Sequence, residues 1–126
     1  MRFLFTLVAV TLTLAGCVSA QQRAAYDDQR WQLYANATNL FTPEAQDSCV
    51  ARYKSGLGDP DSFQLAGDFT INQSASQLAA QLNGRANLVD FTAPVRVRNQ
   101  FGGLILKMMF CEFSVNGDHL VLLRTY

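Results

Sequence analysis

The chain holds one histidine and three cysteines in 126 residues. Zinc sites draw on several His or free Cys side chains, so too few ligands are present to build one. Lys and Arg number ten against ten Asp and Glu, and so even a balance steers nothing toward nucleic acid. No glycine-rich loop ending in Lys follows a strand, as a phosphate cradle requires. Asp59, Asp61 and Asp68 lie close together but lack the spacing and final Glu of a calcium loop. The ten acids are scattered, and no glycosidase-like pair of carboxylates stands out among them. His119 follows Asp118 beside a tight turn and reads as an exposed hairpin residue, with no Ser or free thiol placed to complete a triad. Internal repeats and low-complexity tracts are also missing. The sequence therefore points to no cofactor, no small-molecule ligand and no catalytic constellation, and we read the chain as a non-enzyme.

What is present begins at the first residue. Met1 and Arg2 give a short basic start, and Phe3 to Leu14 is an uncharged run rich in Leu, Val, Phe and Ala. A helix of that length spans roughly 18 Å, short of a hydrocarbon core of about 30 Å. The run reads as a signal-peptide core. It ends in Leu14-Ala15-Gly16-Cys17, which resembles the bacterial lipobox at all four positions. The resemblance implies cleavage before Cys17 and a diacylglycerol thioether on its thiol, with acylation (palmitate) of the new amine. Two or more acyl chains hold a protein stably on a bilayer, whereas one does so only marginally. The family's sorting rule retains proteins with Asp after the Cys at the inner membrane. Val18 stands there, so the outer membrane, facing the periplasm, is the expected address. The alternative is an ordinary secretory signal cut after Ala20, with Cys17 incidental.

If Cys17 carries lipid, Cys49 and Cys111 remain as an even pair. An exported chain meets an oxidising compartment, where a Cys49–Cys111 disulfide is expected. Closing a loop of that length stabilises by about 4 kcal/mol on the chain-entropy model. Residues 17–25 read as lipid anchor and linker, and residues 26–126 as a single domain.

Along that domain the helical spacing of Tyr26, Arg30, Leu33 and Ala37 predicts a helix from about Ala24 to Asn36. Trp31 and Tyr34 lie beside the stripe, available for core packing or for a partner. Thr42-Pro43-Glu44 starts a second helix, expected to run to about Leu57 with Cys49 facing inward. Gly56 and Gly58 loosen its end and Pro60 forbids continuation. A strand is expected over Phe63–Ile71, then a short helix opened by a Ser74–Gln77 capping box, with Ala75, Leu78, Ala79 and Leu82 as its apolar side. The remainder reads as β: Ala86–Phe91 and Val95–Arg98 interrupted near Pro94, a turn at Asn99–Gly103, and a long apolar strand Leu104–Val115. Asn116-Gly117 predicts a two-residue hairpin loop pairing Val115 with Asp118, Phe113 with Leu120, and Cys111 with Leu122. Met109, Cys111, Phe113, Val115, Leu120 and Leu122 then share the face that seats the Cys49 helix. Phe110, Val121 and Leu123 fall on the other face, either covered or left as an adhesive patch. Arg85, Arg96 and Arg98 read as a solvated basic stripe.

Two motifs, Asp59-Pro60-Asp61-Ser62-Phe63 and Asn99-Gln100-Phe101-Gly102-Gly103, resemble those of a family of small uncharacterised bacterial secreted proteins and lipoproteins. The likeness covers roughly residues 44–113 and implies architecture rather than activity. Phe63 follows Ser62 directly, a departure from the family's commoner spacing. Both motifs are backbone devices, a helix stop and a glycine turn.

The expected fold is α+β: a helix disulfide-linked to an antiparallel sheet of three or four strands, with one or two further short helices. The expected function is that of a membrane-tethered envelope lipoprotein. It would bind an envelope protein through Trp31 and Tyr34 or through Phe110, Val121 and Leu123. A second reading is a protective inhibitor of a lytic enzyme, toxin or phage, acting through a loop such as Asn99–Gly103.

Overall fold

The computed structural model describes residues 2–126, with side chains from Ala20 onward. The expected signal peptide, Cys17 and the expected Gly16–Cys17 cut therefore lie outside the described side chains. Two compact units divide the chain, Met1–Leu33 and Tyr34–Tyr126. Helix α1, Arg2–Leu40, passes through the boundary, so the expected linker over residues 18–25 is helical in its described part and the helix ends four residues later than its spacing predicts. Among the described residues no helix is long and apolar enough to cross a membrane.

The second unit is α+β. It contains α2 (Pro43–Ser55) and α3 (Gln73–Asn83) with five strands: β1 (Gln64–Leu65), β2 (Thr70–Ile71), β3 (Leu88–Arg98), β4 (Leu104–Asn116) and β5 (His119–Thr125). All pairings are antiparallel, in the order β1-β3-β4-β5, with β2 also on the outer side of β3. Thr42 caps α2 as its sequence predicts, accepting from the Ala45 amide at 3.3 Å. The helix stops at Ser55, because Gly56 takes over as its C-cap.

One sheet face carries the core. Val89, Phe91, Ala93, Val95 and Val97 of β3 are buried with Met109, Cys111, Phe113 and Val115 of β4. Phe41 stacks on Phe91 with ring centroids 3.8 Å apart and meets Phe69 and Phe113 edge-on. Cys49 of α2 is bridged to Cys111 of β4, with Cα atoms 5.9 Å apart, within the usual span of a disulfide. The helix phase, the strand alternation and the disulfide all seat α2 on this face.

Two strand expectations change in the structure. The anticipated strand Phe63–Ile71 is two short pieces, with Pro60–Ser62 forming a 3-10 turn before them. Residues 88–98 are instead one unbroken strand through Pro94. Even-numbered positions of β3 turn their backbone outward, as the Ala66 N–H to Pro94 C=O bond and the Asn72 N–H to Asp90 C=O bond show. The missing amide of Pro94 thus falls in the gap between β1 and β2 and costs no ladder hydrogen bond. Gly67 closes that gap: a Cβ there would lie 2.6 Å from Pro94 Cγ.

The hairpin slips by two residues from its predicted register. Asn116 pairs with His119, Val115 with Leu120 and Phe113 with Leu122, so Gly117-Asp118 forms the loop, with Gly117 at φ 64°. A slip of two preserves which residues share a face, whereas a slip of one would have reversed it. Leu120 and Leu122 therefore keep the core side. An irregularity between Glu112 and Phe113 leaves Leu123 as an extra residue of β5, after which Glu112 faces Arg124 and Cys111 faces Thr125.

Helix α3 also departs from its reading. Asn72, two residues before Ser74, is the cap, accepting from the Ala75 amide at 2.9 Å. The buried positions are Ser76, Ala79 and Ala80, while Leu78 and Leu82 are exposed. Polar fit sets this rotation: Ser76 Oγ accepts from the Asp90 amide at 2.9 Å and donates to the Asn72 carbonyl at 2.7 Å.

Candidate interaction surface

The second face of the sheet divides into a closed half and an open half. In the closed half Leu88, Asp90, Thr92, Glu112 and Ser114 are all buried. Asp90 and Glu112 stand directly opposite each other on β3 and β4, two acids on one face. Such a pair destabilises unless other groups answer it. Arg124 ion-pairs with Glu112, and the Tyr126 hydroxyl donates to Asp90 Oδ2 at 3.3 Å. Burial first, and then the Glu112 charge, push the Asp90 carboxyl up, against the opposing pull of Tyr126 and Arg124. Burial and the adjacent acids push the Tyr126 phenol up to about 12. Asp90 Oδ1 is buried and has no hydrogen-bond partner. This constellation escaped the sequence because its members lie 22 and 12 residues apart and meet only through strand register.

The open half begins at Phe110, which is half-buried under the stacked ring of Tyr126 at 5.0 Å. Beyond it Met108, Leu106 and Leu104 continue the same face and are 49%, 66% and 50% exposed. Their cross-strand neighbours are Pro94, Arg96 and Arg98, and the two arginines are exposed. Arg98 is not a free cation, since it pairs with Asp59 at 3.2 Å and donates to the Gly102 carbonyl at 3.0 Å. The expected basic stripe is thereby reduced on this strand to Arg96.

At the far end of the strip the Asn99–Gly103 turn is held by its own hydrogen bonds. Asn99 Oδ1 accepts from the Phe101 and Gly103 amides at 3.0 and 3.1 Å, and the Asn99 amide donates to the Gly103 carbonyl at 2.8 Å. Gly102 sits at φ 86°, where a side chain is disfavoured. The Phe101 ring projects from this rigid turn, 86% exposed. The other motif is equally structural: Ser62 Oγ accepts from the Arg98 amide at 2.9 Å, fastening the helix stop to β3.

The residues singled out from sequence distribute unevenly. Cys49 and Cys111 are joined. Trp31 is 64% exposed in the Met1–Leu33 unit. Tyr34, 6% exposed, is core in the other unit and is withdrawn as a docking residue. Phe110, Val121 and Leu123 do not make one apolar patch, because Glu112 and Arg124 lie between them on the sheet. The contiguous patch lies further along β4, where the apolar alternation of Leu104, Leu106 and Met108 was in the sequence but their exposure was not. His119 is exposed, with Nε2 3.3 Å from Asp118. Among the described residues no group of three or more His, Cys, Asp or Glu is placed to hold a metal ion. No protein-family model, no curated protein and no solved structure matches the chain.

Proposed function

We propose that the protein is a lipid-anchored module of the bacterial envelope, held through Cys17, that works by docking rather than catalysis. The observation that carries this reading is the exposed apolar strip Leu104, Leu106 and Met108 along β4. Large exposed apolar side chains in a row mark interaction sites in small soluble domains. The anchor rests on the lipobox resemblance, and the outer membrane facing the periplasm is the proposed location. Photo-crosslinking in intact cells tests the docking surface. A photoreactive residue at Leu106 is expected to give discrete adducts, with none from Leu78 of α3, which is also exposed. Adducts from neither position, or from both alike, would count against it.

The projecting Phe101 supports a second reading, a protective inhibitor that inserts this ring into a groove of a lytic enzyme. Phe101→Ala would then abolish protection while Leu106→Lys left it intact.

A further inference from the structure

We infer that the cleft where the α1–α2 joint meets the β1–β2 loop binds a small organic cation, an ammonium group on an apolar body. It shares no residue with the Leu104–Met108 strip, so it stands or falls independently of the docking reading.

The frame of the cleft is held at several points. Residues 66–69 leave the outer side of β3 between two fixed ends. The Ala66 N–H donates to the Pro94 carbonyl at 2.8 Å, and pairing resumes where Thr70 stands opposite Thr92. Between them Gly67 lies against the Pro94 ring with no room for a side chain. Phe69 rests edge-on against Phe41, with ring centroids 5.1 Å apart. Phe41 is itself fixed at the joint: its N–H donates to the Thr38 carbonyl at 3.3 Å, and its ring stacks on Phe91 at 3.8 Å. Loop and joint are therefore preformed walls, and they enclose a cavity of about 340 Å³. That is the size of a small-molecule site.

The lining selects the ligand. Phe41, Phe69, Phe91 and Ile71 give it an apolar floor. Asp68 is its one charged residue among the described residues, and no Lys, Arg or His joins it. The donors of the lining are largely engaged already: Gln46 Nε2 donates to the Phe41 carbonyl at 3.4 Å, and Thr38 Oγ1 to the Tyr34 carbonyl at 2.8 Å. The acceptors are not. Among the described residues, neither the Asp68 carboxylate nor Gln46 Oε1 has a hydrogen-bond or ion-pair partner.

An anion would meet Asp68 with no counter-charge, and a purely apolar molecule would gain nothing from the acceptors. An ammonium group brings three N–H donors and the opposite charge, and aromatic walls attract a cation. The members come from α1, α2, the β1–β2 loop and β3, and only the fold assembles them.

Benzylamine titrated into isotope-labelled full-length protein, followed through backbone amide shifts, tests the site. Saturable shifts are expected at residues 67–71 and Gln46, with a dissociation constant of about 1 mM for so small a ligand. Benzyl alcohol, the same body without the charge, is expected to bind about five-fold more weakly. Asp68→Asn should weaken benzylamine by the same factor, and on that variant the two compounds should bind alike. Asp68 is exposed, so the variant keeps the fold, as unchanged amide shifts outside the loop would verify. Equal binding of amine and alcohol by the parent protein would overturn the inference. So would shifts that do not saturate or that fall elsewhere on the surface, or an affinity for benzylamine unchanged by Asp68→Asn. None of these outcomes bears on the Leu106 adducts, so failure of the site and failure of the docking reading are separately visible.

Discussion

Asp90 and Glu112 face each other across β3 and β4, both buried, and each is answered by a different residue of the last strand segment: Tyr126 for Asp90 and Arg124 for Glu112. Arg124 balances the Glu112 charge, whereas Asp90 receives only a hydrogen bond from the neutral Tyr126 phenol. Asp90 keeps its proton more tightly in the folded state than in the unfolded chain. Its contribution to stability is therefore full at pH values below about 4 and declines as pH rises through the raised native value. Asp90→Asn removes the charge and the decline together. Thermal melts should show the variant matching the parent near pH 4 and exceeding it by several degrees at pH 7. Parallel curves for the two proteins would place the pH dependence elsewhere.

The Cys49–Cys111 bridge closes a separation of 62 residues. On the loop-entropy model its removal costs about 4 kcal/mol. Cys49→Ala/Cys111→Ala should lower the melting temperature by more than ten degrees or leave the domain unfolded at 37 °C. A loss of only a degree or two would mean that α2 is held by its packing alone.

Gly67 faces the Pro94 ring so closely that an added methyl would sit 2.6 Å from Cγ. Gly67→Ala must displace the ring or the loop, at about 1–3 kcal/mol for an overpacked contact. Denaturant unfolding should show a lowered midpoint with an unchanged slope. The same change at Gly58, where a Cβ meets nothing within 4 Å, should be nearly silent.

How far the sequence reveals all this depends on which interactions are local. Thr42 and Pro43 act within the first turn of their helix, and the start of α2 follows from them directly. The core face of the hairpin is also legible, because period-two alternation survives a register error of two residues. Whether an apolar residue is covered is not local. Leu78 and Leu82 have ideal helical spacing for burial, yet they are exposed, since the Ser76–Asp90 bond turns α3 the other way. Leu104 and Leu106 alternate as core strand residues do, yet they too are exposed. The Asp90–Glu112 pair needed the β3–β4 register, which no spacing in the chain encodes.

Residue-resolved hydrogen exchange on β4 tests the docking strip most directly. Odd-numbered amides from Ile105 to Met109 are bonded to β3 and should exchange slowly under all conditions. The Leu104, Leu106 and Met108 amides should exchange fast in the purified protein and become protected when it is held in native envelopes. Exchange of those three amides that is the same in both states, whether fast or slow, would contradict the account.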